Sequence, residues 1–180
     1  MAKNIKDIAD QYAKAIFELA GEQDNVNEVL EDLRAIKTVL NENKSFVTVA
    51  SSADVAVSSR DDLLKTLTND STDSVKNLVK LLQANNRLDV LLLVVDEFIN
   101  HYNEANGIVD VKATTAVSLD DGRLNKLASV FASKTGAKQV NIENVVDESI
   151  LGGVILQSQS TLIDGSLQTK IAKMKAQLLG

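Results

Sequence analysis

Apolar residues recur every three or four positions in the first part of the chain and every second position just beyond residue 107. These are the periods of a helix and of a half-buried strand. Ile5, Ile8, Tyr12, Ile16 and Leu19 form one helical stripe, and Gly21 stands where a stop is expected. A second stripe runs through Val26, Val29, Leu30, Leu33, Ile36 and Leu40. Weaker helical segments follow at 44–51 and 59–67, the latter with Ser59 and Asp62 spaced as an N-cap and a first-turn acid. A fifth helix carries Val75, Leu78, Val79, Leu81 and Leu82 and ends at Asn85-Asn86, where asparagine tolerates the left-handed conformation. The sixth, from Leu88 to about Glu104, is apolar on most sides at its start, as a central helix is. Six helices with short links predict a helical bundle over residues 1–106.

Asn106-Gly107 breaks the pattern. Val109, Val111, Ala113, Thr115 and Val117 then alternate with polar residues, which predicts a strand. Residues 119–135 return to a helical stripe through Leu119, Leu124, Leu127, Val130 and Phe131, closed by Gly136. "KQVNIENVV" alternates again, and "GVIL" and "TLI" predict two short strands separated by Ser158-Gln159-Ser160. Asp164 or Ser166 is placed to cap a last helix. The fold class expected is α+β: a six-helix bundle over 1–106, then a small α/β domain over 107–180.

Charge supports the same division. Residues 1–106 hold 11 Lys and Arg against 18 Asp and Glu, while residues 107–180 hold 8 against 7. An acidic first part repels phosphate backbones, so nucleic acid is not the expected partner. Aromatics are 3% of the 180 residues, which leaves the core to Leu, Val, Ile and Ala. There is no cysteine, hence no disulfide frame and no thiolate chemistry. The longest apolar run, Val90 to Val95, is far below the roughly 20 residues of a spanning helix. Membrane association is therefore expected only through a partner.

No pattern in the chain carries catalysis. His101, the only histidine, has no second histidine or Glu-x-x-His spacing beside it, and reads as a surface helix residue. Asp61-Asp62 and Asp120-Asp121 each begin a helix, where acids complement the dipole. Gly152-Gly153 precedes a strand, whereas a phosphate cradle precedes a helix; a bulge or close backbone approach fits better. No metal, cofactor or catalytic residue is expected. Lys170, Lys173 and Lys175 follow one another without an intervening acid, on a helix whose stripe is Leu167, Ile171, Met174 and Leu178. They read either as dipole complementation on a solvated face or as a basic face for an acidic partner.

Four segments, in order, resemble the delta subunit of bacterial F-type ATP synthase, the family of the mitochondrial oligomycin-sensitivity-conferring subunit. They are "YAKAIFELA", "LVKLLQANNRLDVL", "FINHYNEANGIVDVKATTAVSL" and "VDESILGGVILQSQSTLIDGSLQTKI". The chain departs from the family pattern at Asn86, usually Gly, at Asp147-Glu148, commonly Asp-Pro, at Gln157, usually Arg, and at Gln159-Ser160, usually a Gly-Asp turn. The resemblance implies a non-catalytic stator subunit at the cytoplasmic face of the cell membrane, joining the catalytic head to the peripheral stalk against rotor torque. It implies that the N-terminal domain binds the N-terminal helix of an alpha subunit between the first and fifth helices, on faces carrying Tyr12, Ala15 and Ile16, and Leu78, Leu81 and Leu82. It implies that the C-terminal domain binds the C-terminal region of the b subunit. Val154 and Leu156, on a strand edge, with Lys170, Lys173 and Lys175, are the surfaces expected there. The alternative is an unrelated helical adaptor or RNA-binding helical module, disfavoured by the acidic first part.

Overall fold

The computed structural model describes residues 4–52 and 55–179. The chain divides into two compact units, one up to Tyr102 and one from Asn103 onward. The first contains α1 (Ile5–Glu22), α2 (Val26–Glu42), α3 (Phe46–Ser51), α4 (Val57–Leu67), α5 (Asp73–Ala84), a short 3-10 turn at Leu88–Val90, and most of α6 (Leu91–Asn106). One buried cluster draws residues from all six of these helices, and its largest fully buried side chains include Phe98, Leu33, Ile36, Leu40, Leu82 and Leu91. Phe17 meets Phe98 edge to face at 5.6 Å, a favoured geometry for two aromatic rings.

The face that α1 buries coincides with the predicted stripe only in part. Ala9, Ala13, Ile16 and Ala20 are buried, while Ile5 and Leu19 are exposed and Ile8 and Tyr12 lie between. α1 packs against both α5 and α2, and its small buried residues allow close approach. Gly21 does not end the helix. The stop comes at Asp24, whose φ of 56° carries the chain through the left-handed region, with the Asn25 N–H donating to the Ala20 carbonyl. Ser59 is likewise no cap: α4 begins at Val57, after Ala56. The N-terminus of α5 takes its acceptor from a distant helix, where Asp32 of α2 receives the Thr72 N–H at 2.6 Å. Asn86 does hold the left-handed position after α5, at φ 51°, and Arg87 N–H closes back on Leu82 O.

Division between the units falls inside α6, one turn before the change of period at Gly107. The last turn of α6 is held in the second unit by Asn103, which is buried and donates to Asp110 Oδ2 at 2.6 Å. That unit contains β1 (Ile108–Thr115), α7 (Asp121–Thr135), β2 (Gln139–Val146), a 3-10 turn at Glu148–Ile150, β3 (Val154–Gln157), β4 (Leu162–Asp164) and α8 (Leu167–Leu179). Sheet order is β2-β1-β3-β4, with β1 parallel to β2 and antiparallel to β3, and β3 antiparallel to β4. Alternation in β1 sends Val111, Ala113 and Thr115 inward, where Val111 and Ala113 meet Phe131 of α7 and Leu156 of β3. Asp120 caps α7 by accepting the Arg123 N–H at 2.8 Å, and Gly136 ends it at φ 76°. The polar loop at Gln159-Ser160 is closed by Ser158, whose N–H donates to Thr161 O and whose Oγ accepts from Thr161 N–H.

Candidate docking surfaces

Among the described residues, no group of three or more His, Asp or Glu side chains is placed to hold a metal ion. His101 is half-buried, its Nε2 2.9 Å from Asp10 Oδ1 and its ring 6.1 Å from that of Phe17. It joins α6 to α1 within the first unit through ring packing and a hydrogen bond. The acidic pairs sit at helix starts or on helix faces: Asp120 is a cap, Asp61 accepts from Gln83 Nε2 and Asp62 accepts from Lys65 Nζ.

In the first unit, six residues were expected at a groove between α1 and α5, and these helices do pack together. Tyr12 Oη accepts from Asn85 Nδ2 at 3.0 Å, tying the two across that contact. Ile16, Leu78 and Leu82 are core, with 5%, 6% and 0% of their surfaces exposed. They belong to the core of the first unit and do not present themselves to a partner. Ala15 and Leu81 are exposed, Tyr12 is half-buried, and Leu19, which sequence reasoning assigned to the core stripe, adds a further exposed apolar side chain on α1.

In the second unit, β3 is an interior strand, paired with β1 on one side and β4 on the other. Val154–Leu156 is therefore not a strand edge, and Leu156 is core with 4% exposure. Local sequence cannot reveal this, because edge position is set by which distant strands pair. Val154 is half-buried and lines a cleft beside α7. The Gly-Gly turn before β3 is a backbone-on-backbone contact. A Cβ on Gly153 would stand 2.4 Å from the Gly165 carbonyl oxygen, while Gly165 N–H donates to Val154 O and Leu167 N–H to Gly152 O, each at 2.9 Å. These bonds fix the start of α8 against the turn. Asp164 adds to the same joint: its carboxylate accepts from the Ser166 N–H and the Thr169 hydroxyl, which hold its pKa below the ordinary value.

α8 leaves its apolar stripe in solvent. Leu167, Ile171, Met174 and Leu178 are 46%, 44%, 63% and 85% exposed. At about 100° per residue, Lys170 and Lys175 flank this stripe on opposite sides and Lys173 lies further round. Leu151 adds to the exposed apolar surface of this region: it holds φ 63° and is 64% exposed. A bulky residue rarely takes that backbone conformation, and solvent exposure offers it no packing in return. No periodic signal marks such a residue.

Both units carry exposed apolar helix surface among the described residues. A family model described as the ATP synthase delta (OSCP) subunit matches residues 8–178. The chain belongs to that family. It is 86% identical over 180 residues to the ATP synthase subunit delta of Leuconostoc mesenteroides subsp. mesenteroides, covering all of both chains. The corresponding subunits of Leuconostoc citreum and Lacticaseibacillus casei are 65% and 37% identical, over 100% and 99% of each chain. A chain in the cryo-EM structure of the Toxoplasma gondii mitochondrial ATP synthase hexamer has the same fold, with a TM-score of 0.77 at 22% identity over 96% of this chain and 97% of that one. The family is a structural, peripheral-stalk component of ATP synthase and not a catalytic subunit. An RNA-binding adaptor finds no support in these likenesses. No described helix is long and apolar enough to cross a membrane.

Proposed function

We propose that this delta-family chain joins the catalytic head of an ATP synthase to its stalk by giving one unit to each. α1 to α6 act as a single six-helix bundle that receives the N-terminal helix of an alpha subunit over the α1–α5 contact. The second unit grips the C-terminal region of the b subunit, using α8 and the surface around Val154. The complex operates at the cytoplasmic face of the cell membrane, to which the chain is attached only through its partners.

The observation that carries this reading is the exposed apolar stripe of α8, matched by exposed Ala15, Leu19 and Leu81 on the other unit. Helix-in-groove recognition uses apolar anchors of this kind, and burial of each contributes about 25 cal/mol per Å² removed from water. Ala15 is the decisive position, since a small exposed residue permits close approach of a partner helix. Ala15→Asp would place a charge there without touching the core. It is expected to abolish binding of an alpha-subunit N-terminal peptide while leaving the helical circular dichroism intact. Binding at the normal affinity would remove the α1–α5 surface from the account.

A further inference from the structure

The first unit has a small polar pocket where α4 meets the end of α3 and the link between α5 and α6. Ala50, Ser51, Arg60, Gln83, Asn86 and Leu88 line it, and its volume is about 50 Å³. None of these residues is among the six expected at the α1–α5 surface. Arg60 brings a positive charge to the pocket, yet it makes no ion pair among the described residues, and its Nε–H is buried without an acceptor. A buried donor on a charged group is costly to leave unpaired, so such a group is ordinarily matched to an acid.

We propose that this pocket binds a carboxylate group through Arg60. Charge and donor geometry select the ligand. The lining holds one ionisable side chain, a cation, and no acid. A guanidinium presents its Nε–H and one Nη–H as parallel donors, spaced for the two oxygens of a carboxylate. Asp61, next in the chain, is engaged elsewhere, accepting from Gln83 Nε2 at 2.6 Å. Because a carboxylate only accepts, that bond fixes the Gln83 amide and leaves its second N–H unused. The Ser51 hydroxyl and the Asn86 amide add donors with no side-chain bond of their own among the described residues. Asn86 is set in place by its left-handed backbone, at φ 51°.

Size narrows the choice further. The pocket has room for about three or four water-sized groups, which suits a carboxylate and is tight for a phosphate. A drug-sized molecule needs roughly 300 Å³ or more. Water alone accepts from the Nε–H but leaves the charge of Arg60 uncompensated. The carboxylate arrives either on a small free acid or on an Asp or Glu side chain of a protein partner. Capture by Arg60 is the same chemistry in both cases, and the two sources separate experimentally.

The Nε–H of Arg60 is itself the reporter, read by nitrogen-proton NMR correlation on the full chain and assigned by its loss in Arg60→Lys. Sodium acetate is expected to shift it saturably at constant ionic strength, and sodium chloride to leave it in place. With the Asn86 side-chain amide as a second reporter, Arg60→Lys is expected to weaken acetate binding by at least about tenfold, because an ammonium keeps the charge and loses the paired donors. Absence of a saturable acetate shift overturns the proposal, as does an equal shift with chloride, which is screening alone. Inorganic phosphate binding more tightly than acetate assigns the pocket to a larger oxyanion and also overturns it. Asp54 lies outside the described residues; an acetate shift seen only in Asp54→Asn assigns the pocket to the chain's own acid and overturns an external ligand. Displacement of acetate by the peptide acetyl-Ala-Glu-Ala-amide, with its glutamine counterpart inert, supports the proposal with a partner's acidic side chain as the source. Acetate binding with both peptides inert supports it with a small free acid.

Discussion

Replacing Gly153 with alanine would put a methyl group 2.4 Å from the Gly165 carbonyl oxygen, at a backbone φ of 81°. Two costs combine. A left-handed L-residue is disfavoured by about 1–2 kcal/mol. The clash is with backbone, so it is relieved only by moving the Asp164–Ser166 turn. That movement strains the bonds from Gly165 N–H to Val154 O and from Leu167 N–H to Gly152 O, each worth about 0.5–1.5 kcal/mol net. Loss of chain entropy in the unfolded state offsets about 0.4–1 kcal/mol. The expected net destabilisation is about 2–4 kcal/mol. Gly136→Ala is the control: its φ is 76°, but nothing lies within 4 Å of the added carbon, so only the conformational cost applies. Neither tyrosine lies in the second unit, so amide exchange of β3, β4 and α8 is the suitable assay. Gly153→Ala should accelerate protected amides there by about thirtyfold to several hundredfold, at a tenfold change per 1.4 kcal/mol. Equal effects of the two substitutions would refute the claim that the Gly-Gly turn exists to let two backbones touch.

Leu151→Gly relieves a left-handed strain and should stabilise the second unit by about 1 kcal/mol in urea titrations, while weakening binding of the b-subunit segment; a loss of stability would show that the exposed leucine is packed. Reversing Lys170 and Lys175 to Glu should slow association with that segment and flatten its salt dependence, because exposed ion pairs contribute only about 0–1 kcal/mol and act chiefly by steering. An unchanged rate and salt slope in stopped-flow would reduce these lysines to a solvated face. Asp164 titrates below its ordinary value of 3.8 because the Ser166 N–H and then the Thr169 hydroxyl bind its charged form. Its stabilising contribution is therefore present above pH 3.8 and is lost as pH falls through the lower folded value. Exchange protection at the start of α8 should fall in that acid window in the wild type, and Asp164→Asn should remove the step.

Much of this fold is legible locally. The alternation of Val109 to Thr115, the left-handed stop at Asn86 and the start of α7 at the Asp120-Asp121 pair each depend on a residue and its near neighbours, and each stands where the sequence puts it. The face buried by α1 is not legible in this way. Ala9, Ala13 and Ala20 carry little hydropathy, so larger Ile5 and Leu19 dominate the apparent stripe although tertiary packing selects the small residues. Ser59 and Gly21 have the chemistry of helix ends, but the helix continues through both because packing outweighs a single cap or stop signal. The docking surfaces are divided in the same manner. The stripe on α8 is visible as spacing, while the interior place of β3 arises from pairings over long sequence distances.

The central claim is that one chain holds head and stalk at the same time through separate units. Its most direct test is a ternary binding measurement with the intact chain, an alpha-subunit N-terminal peptide and the soluble b-subunit segment, each carrying its own label. Both ligands should bind together at one equivalent each, Ala15→Asp should remove only the peptide, and the Lys170 and Lys175 reversal should slow only the b segment. Competition between the two ligands for the chain, or loss of both through either substitution, would contradict it.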